Sequence, residues 1–516
     1  MDIGDKLAEL SRLREQSELG GGTERIEAQH SKGKLTARER LGLLFDAGTF
    51  AELDPFVTHR CTDFDMDKRH FPGDSVVVGY GRVDGRPVFA CAQDFTVFGG
   101  SLSEVAAKKI CKVMDLAVTN LAPFVAVLDS GGARIQEGAD SLHGYGEIFT
   151  RNTIYSGTIP QISVIVGPTA GGAVYSPAIT DFVFMVEGLG QSYITGPGVV
   201  REVTGEEVSL EELGGAMVNA TKSGNCHFVY PDEKQCFSQV RRLLGFLPQN
   251  YKERPPLGDA SGGDGDIDEG LRTIVPVNPK QTYNMRQVIE RVVDEGDFME
   301  VHEQFARNVI VGFARLGGRS VGVVAQQPSH MAGVLDIDAS DKAARFVRVC
   351  DAFNVPLITF VDVPGYMPGT DQEFRGIIRH GAKLLFAYAE ATVPKISIVV
   401  RKAYGGAYVA MSSKGLRSDV CYAWPTAEIA VMGPEGAVGV LYRSELKESD
   451  KPEERRRQLI EEYRGKFASP YAAASRGYID DVIDPAETRP KVIRALQMLE
   501  NKTVVDPPKR HSNIPL

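Results

Sequence analysis

Pro160 to Val186 reads P-Q-I-S-V-I-V-G-P-T-A-G-G-A-V-Y-S-P-A-I-T-D-F-V-F-M-V. Ile162, Val164 and Val166 form a short apolar run with the length and β-branched content of a buried strand. Gly167-Pro168 and then Gly171-Gly172 interrupt it, and Ala173 to Val186 is expected to continue as a helix. A glycine pair opening a helix leaves backbone N–H groups without intrahelical acceptors and with no side chain in the way. At the positive end of the helix dipole, such donors suit an anion or a developing oxyanion. Taken alone, the same pattern also fits a tight strand-to-helix turn with no chemistry.

The stretch occurs twice. Pro394 to Met411 reads P-K-I-S-I-V-V-R-K-A-Y-G-G-A-Y-V-A-M, so that Pro160 matches Pro394 and Gly171-Gly172 match Gly405-Gly406, each pair 234 positions apart. Upstream, A-P-F-V-A-V-L-D from Ala122 echoes V-P-L-I-T-F-V-D from Val355, and V-G-Y-G-R-V-D-G-R from Val78 echoes V-G-F-A-R-L-G-G-R from Val311. One architecture is written two times, and two oxyanion-type turns suggest two oxyanions to stabilise.

At 516 residues the chain exceeds one ordinary core, and the duplication argues for two large domains. A net charge of −10 carries no signature of nucleic-acid binding. The seven cysteines are dispersed, with no C-x-x-C, which reads as free thiols in a reducing compartment without a zinc site. The N-terminus, M-D-I-G-D-K-L-A-E-L, lacks an apolar signal region and the Arg- and Ser-rich bias of a transit peptide. The uncharged run from Asn152 to Thr180 contains Pro160, Pro168, Pro177 and several glycines, so strand and turn suit it better than a membrane helix. A cytoplasmic location is expected.

Along the chain, Asp2–Leu19 and Leu35–Phe45 read as helices, the second capped by Thr36. His59, Cys61 and His70 lie in a segment expected to be a solvated loop, since no two fall at metal-ligand spacing. A hairpin is expected over 75–92 about the turn Val83-Asp84-Gly85-Arg86, then a helix from Glu104 to Leu121 and a strand from Pro123 to Asp129. S-G-G-A-R-I-Q-E-G from Ser130 is a second glycine turn after a strand, where backbone can closely approach a ligand. Strand, glycine turn and helix in succession indicate α/β architecture. Pro248 to Pro279, rich in Pro, Gly and Asp, marks a surface linker, and Lys451 to Lys466 reads as a charged, solvated helix.

No G-x-S-x-G, Walker or H-E-x-x-H motif occurs, and no histidine falls in either repeated turn. Two oxyanion holes without a side-chain base point to acyl-thioester or related enolate chemistry. The motifs S-G-G-A-R-I-Q-E-G, G-P-T-A-G-G-A-V-Y-S-P-A-I-T-D-F, I-T-G-P-G-V-V, F-V-D-V-P-G-Y-M-P-G, R-K-A-Y-G-G-A-Y and S-P-Y-A-A-A-S-R-G-Y-I-D-D-V-I-D-P, in that order, resemble the carboxyltransferase subunit of biotin-dependent acyl-CoA carboxylases. Within that family it resembles the propionyl-CoA carboxylase β chain, the methylmalonyl-CoA decarboxylase α chain and the transcarboxylase core.

The resemblance implies two tandem crotonase-like ββα-spiral domains, residues 1–255 binding acyl-CoA and 256–516 on the biotin side. It also implies a trimer-of-dimers hexamer whose active sites combine the first domain of one subunit with the second of its dimer mate. On this reading the amides of Gly171 and Gly172 hold the thioester carbonyl, and those of Gly406 and Ala407, beside Gly405, hold the ureido carbonyl of biotin. Biotin released from its carboxyl group removes the α-proton, and the thioester enolate then attacks CO2. Gly131, Gly132, Ala133 and Arg134 would lie against coenzyme A, with Arg134 pairing either a phosphate or a nearby carboxylate. Tyr404 and Phe360–Tyr366 would shape the biotin side or simply serve the core, and Tyr175 would line the substrate pocket. Propionyl-CoA carboxylases typically carry Asp after G-G-A-Y at a position bordering the acyl pocket. Here it is Val409, which leaves the acyl chain open. No A-M-K-M biotinylation motif occurs, so biotin would arrive on a separate carrier protein, with a biotin carboxylase subunit or membrane decarboxylase subunits as further partners and no metal in this chain.

Two rival readings are weighed. A crotonase-type hydratase needs a carboxylate beside the first hole, and Asp181, placed two turns along the expected helix, faces away from it. A non-catalytic scaffold is opposed by the intact glycine pairs in both halves.

Overall fold

The computed structural model describes residues 2–259, 266–279 and 281–516. The part of the expected linker at 260–265 lies outside the described residues. The chain divides into two units, Met1–Glu253 and Arg254–Leu516.

In the first unit an eight-stranded sheet contains β1 Ala51–Leu53, β2 Val76–Val83, β3 Arg86–Gln93, β4 Phe124–Ser130, β5 Gln161–Ala170, β6 Phe182–Val186, β7 Gln191–Tyr193 and β8 Phe228–Tyr230. The order is β1-β2-β3-β4-β5-β6-β8, with β7 paired to β5 off this path. The hairpin β2–β3 is antiparallel about its Asp84-Gly85 turn, and β3 to β6 run parallel. The helix Glu104–Thr119 returns the chain from β3 to β4, as a parallel crossover requires. Ser103 caps it by accepting from the Ala106 amide at 2.8 Å. Its apolar face (Val105, Ala106, Ile110, Val113, Met114, Ala117) is buried. Together with Val76, Val78, Phe89 and Phe124 of the sheet, much of that face forms the core.

The second unit repeats this plan. Its sheet holds β9 Phe298–Val301, β10 Val309–Leu316, β11 Arg319–Gln326, β12 Leu357–Val363, β13 Lys395–Tyr404, β14 Val420–Ala423, β15 Glu428–Ala430 and β16 Asp481–Val482. The order β9-β10-β11-β12-β13-β14-β16, with β15 paired to β13, matches the first strand for strand. β5 and β13 are each ten residues long and start 234 positions apart, the spacing seen in the sequence. The expected α/β duplication of hairpin–helix units is therefore what the chain forms.

The helix expected from Ala173 to Val186 is shorter. A 3-10 turn over Gly171–Val174 leads into the helix Tyr175–Ile179, and Phe182–Val186 is strand β6. A five-residue apolar run fits a buried parallel strand as well as a helix, and pairing with β5 and β8 decides it. Asp181 consequently lies outside any helix, and its Oδ2 accepts from the Gln161 amide at 2.8 Å.

Candidate active site

Both long strands carry the same irregularity. Opposite β4, pairing passes from Leu128↔Ile165 to Ser130↔Thr169, and opposite β12 from Val361↔Val399 to Val363↔Ala403. Two extra residues bulge from each long strand, facing Asp129 and Asp362. Bulging re-aims a strand: the last residues of β5 leave β6 to pair with β7, and those of β13 leave β14 to pair with β15. Each strand thus delivers its glycine pair to a turn in the open. Each aspartate amide donates to a glutamine of the neighbouring strand, Gln93 at 3.1 Å and Gln326 at 3.0 Å.

Gly171 and Gly405 adopt φ of +62° and +60°, a region that disfavours side chains and accounts for glycine at the first position of each pair. The Gly171 amide, expected as an oxyanion donor, is already committed: it donates to the Ile194 carbonyl at 3.1 Å. That bond fastens the turn to the end of β7. The Gly172 amide, at the second position of this 3-10 turn, has no i→i+3 acceptor within it. In the second unit the corresponding first-turn amides are Gly406 and Ala407 of the helix Gly405–Ala410.

The turn after β4 adds a further donor. Gly131 N–H donates to the Gly99 carbonyl at 3.0 Å and Gly132 N–H to Ser130 Oγ at 3.1 Å. Leu102 N–H donates to the Gly132 carbonyl, and Arg134 N–H to the Leu102 carbonyl, both at 2.9 Å. In such a parallel bridge the intervening residue, Ala133, turns its own amide away from Leu102. Gly132, with φ +98°, abuts β5 so closely that a Cβ would lie 3.0 Å from the Ala170 carbonyl oxygen. The turn is therefore seated against the residue preceding Gly171-Gly172. The second unit repeats the bridge with Leu335 and Tyr366, the Leu335 amide donating to Gly365 and Met367 to Leu335.

Arg134 resolves in favour of a carboxylate. Its guanidinium is buried, 2.7 Å from Asp74 Oδ1 and 3.2 Å from Glu137 Oε1, and stacks over Phe98. Burial and two acidic partners withdraw it from phosphate binding. Tyr404 is likewise occupied: its hydroxyl donates to Glu428, which Arg464 meets at 2.9 Å. Burial, and then the Glu428 carboxylate, push the Tyr404 phenol pKa up. Phe360 is wholly buried in the core. Tyr175 is 48 % exposed and, with Val174, Tyr193 and Ile194, lines a largely apolar cavity of about 190 Å3 beside the first glycine turn. Val409, on the helix after the second pair, is 41 % exposed.

The segment holding His59 is not simply solvated. His59 is buried, its ring stacked on His70 at 4.9 Å and its Nε2 bonded to the Arg69 carbonyl at 2.7 Å. Among the described residues no three His, Cys, Asp or Glu side chains cluster as metal ligands, and no helix is long and apolar enough to cross a membrane. The sequence reading missed Asp129 and Asp362. The signal was present as the one acidic residue ending each repeated apolar run, V-A-V-L-D and I-T-F-V-D.

Comparison with known proteins agrees with this geometry. The carboxyl transferase domain family matches residues 28–514. The chain is 56% identical over 514 residues to the methylmalonyl-CoA decarboxylase subunit alpha of Propionigenium modestum, covering 99% of each. It is 56% identical over 516 residues to the propionyl-CoA carboxylase carboxyltransferase subunit of Haloferax mediterranei, covering 100% of each. Among solved structures it resembles the hexameric transcarboxylase 12S with methylmalonyl-coenzyme A bound, at TM-score 0.98 and 51% identity, covering 100% of this chain and 99% of that one. With a duplicated fold, paired glycine turns and full-length similarity all in agreement, the chain belongs to the carboxyl transferase domain family.

Proposed function

We propose that this chain is the carboxyltransferase that moves a carboxyl group between biotin on a separate carrier protein and the α-carbon of a short-chain acyl-CoA. Propionyl-CoA and methylmalonyl-CoA are the first choice of substrate pair, acetyl-CoA and malonyl-CoA the second. The observation that carries this reading is the pair of equivalent glycine turns, each presenting first-turn amides and neither containing an acidic or histidine side chain.

In the first unit the Gly172 amide, with Ala133 as its partner, polarises the thioester carbonyl and takes up negative charge as the α-proton leaves. In the second, Gly406 and Ala407 receive the ureido oxygen. The position a Gly406 Cβ would occupy has nothing within 4 Å, so no neighbouring atom blocks approach to this turn. When bound, biotin supplies the carboxyl group and then the base, which accounts for the lack of a protein base at either turn. Donors already in place where charge develops are each worth ~3 kcal/mol of barrier. The cavity beside Tyr175 accommodates the apolar part of the thioester.

A hydratase reading finds less support, because Asp181, the acid nearest in sequence to the first turn, is buried and bonded to the Gln161 amide. Carboxylation and decarboxylation share this half-reaction, so the direction belongs to the partner subunits: a biotin carboxylase or membrane decarboxylase subunits. A homohexamer in the cytoplasm completes the proposal, supported by the hexameric assembly named for transcarboxylase 12S and by seven free thiols. The test is the purified chain with methylmalonyl-CoA or malonyl-CoA, with and without free biotin, following CO2 release. Biotin-dependent decarboxylation is expected, faster with methylmalonyl-CoA. No turnover with free biotin or a biotinylated carrier would overturn the reading.

A further inference from the structure

We infer that Tyr145 is a positioning residue for the first oxyanion hole, its ring forming the floor on which Gly172 rests. This inference rests on the carboxyl-transfer reading and adds a residue to it. Tyr145 belongs to the helix Ala139–Ile154 and is buried. Its Cδ2, Cγ and Cε2 lie 3.3, 3.5 and 3.6 Å from the position a Gly172 Cβ would occupy. Beyond the adjoining backbone, the three atoms nearest that position all belong to this ring, so its flat face sets how far the Gly172 peptide can retreat.

The ring is itself held firmly. One residue earlier, Gly144 packs so tightly on the helix Glu104–Thr119 that a Cβ would meet that of Ala107 at 2.5 Å. One helical turn later, Phe149 stacks on Tyr145 at 5.8 Å and meets Tyr175 edge-on at 6.1 Å. Near the end of the same helix, Asn152 Oδ1 accepts from Ser176 Oγ at 2.9 Å, just beyond the glycine turn. A single rigid helix therefore contacts the turn at Gly172, Tyr175 and Ser176. A donor held on such a support need not reorganise as charge develops, the condition under which an oxyanion hole is effective.

The Tyr145 hydroxyl contributes nothing comparable. It is buried with no hydrogen-bond partner among the described residues, and burial pushes its pKa up. The ring, and not the hydroxyl, is the working part.

The experiment uses the full chain in its native assembly and three variants, Tyr145→Phe, Tyr145→Leu and Tyr145→Met. Biotin-dependent decarboxylation of methylmalonyl-CoA gives kcat and KM. Titration with a nitroalkyl thioether of coenzyme A, whose nitronate mimics the thioester enolate, is compared with titration by coenzyme A itself. For Tyr145→Leu, kcat falls about tenfold with KM within twofold. The nitronate binds about tenfold more weakly, while coenzyme A affinity is unchanged. Tyr145→Phe restores both values. Tyr145→Met, close in volume but without a rigid face, behaves as Leu does and replaces it if the Leu variant does not fold. Wild-type turnover with both Leu and Met variants within twofold of it, or parallel losses for nitronate and coenzyme A, overturns the inference alone. Absence of wild-type turnover overturns the functional reading and this inference with it.

Discussion

The bulges of β5 and β13 solve one problem in two ways. Each buries an aspartate against the irregular stretch of a long strand, and a buried carboxylate requires a cation. In the first unit the bulge carries Gly167, and a Cβ there would fall 1.9 Å from Asp129 Oδ1. The empty space admits cations from the N-terminal region: Lys34 Nζ at 2.7 Å and Arg40 at 2.9 Å, the latter also bound to Glu233 at 2.6 Å. In the second unit the same position is Arg401, which pairs with Asp362 at 3.1 Å from within the strand, while Tyr283 donates to the same carboxylate at 2.8 Å. Burial pushes the Asp362 carboxyl pKa up, and Arg401 opposes it. The first unit thus ties its N-terminal segment into the site, whereas the second carries its counter-ion on the strand itself.

The largest effects should come from breaking this contrast. Gly167→Ala places a methyl on the Asp129 carboxylate and should cost more than the 1–3 kcal/mol usual for overpacking, read as lost soluble yield and a lowered Tm. Arg401→Met leaves Asp362 without its cation and should cost about 3 kcal/mol at neutral pH. Because the folded-state pKa of Asp362 then lies above its unfolded value, its stability contribution is present at low pH and lost as pH rises. The defect should therefore shrink on acidification below neutral pH. Lys34→Met should cost less than Arg401→Met, since Arg40 remains on Asp129.

The glycine pairs sharpen the comparison at the level of activity. Gly172→Pro and Gly406→Pro each remove an amide and should each lower kcat about 10²–10³-fold, the loss typical for one oxyanion donor. Alanine should separate the two. At Gly172 a methyl meets the Tyr145 ring at 3.3 Å, whereas at Gly406 nothing lies within 4 Å. Gly172→Ala should therefore lower kcat for the thioester, while Gly406→Ala should leave Tm unchanged and alter only the KM for free biotin.

The smallest effect concerns two equivalent buried lysines. Lys109 Nζ donates to the Gly73 and Val76 carbonyls at 2.7 Å each. Lys342 holds those of His302, Phe305 and Val309 at 2.9, 2.8 and 2.7 Å. Burial pushes Lys109 down to about 8, with Glu52 and Asp74 opposing, and pushes Lys342 down against Glu300. Between the folded value and ~10.4 the unfolded chain binds the extra proton, so stability rises with pH there. The slope is at most about 1.4 kcal/mol per pH unit for each lysine. Lys109→Met should flatten the rise in Tm between pH 8 and 9.5. An unchanged slope would show that Lys109 is not the group responsible.

Much of the plan was legible in the chain. The repeat located the apolar centres of β5 and β13, because a β-branched run closed by two glycines favours a buried strand, but the continuation of β5 past Gly167-Pro168 to Ala170 was not read. The run Phe182–Val186 was not legible as a strand, since its five apolar residues carry no period that separates helix from sheet. At the site, the sequence found both glycine pairs but assigned a donor to Gly171. Nothing nearby in the sequence announces that the Ile194 carbonyl, 23 residues on, would claim that amide. The fate of Arg134 was equally hidden, since Asp74 lies 60 positions away.

The sequence by itself determined the duplication, the α/β architecture, the two glycine turns and the absence of a side-chain base within them. These follow from local pattern, which needs only neighbouring residues to be read. Only the tertiary structure decided which amides stay free, which cation serves each buried aspartate and which ring lies beneath Gly172. Those outcomes depend on groups far apart in the chain meeting within hydrogen-bond or van der Waals distance, and such meetings are settled by packing.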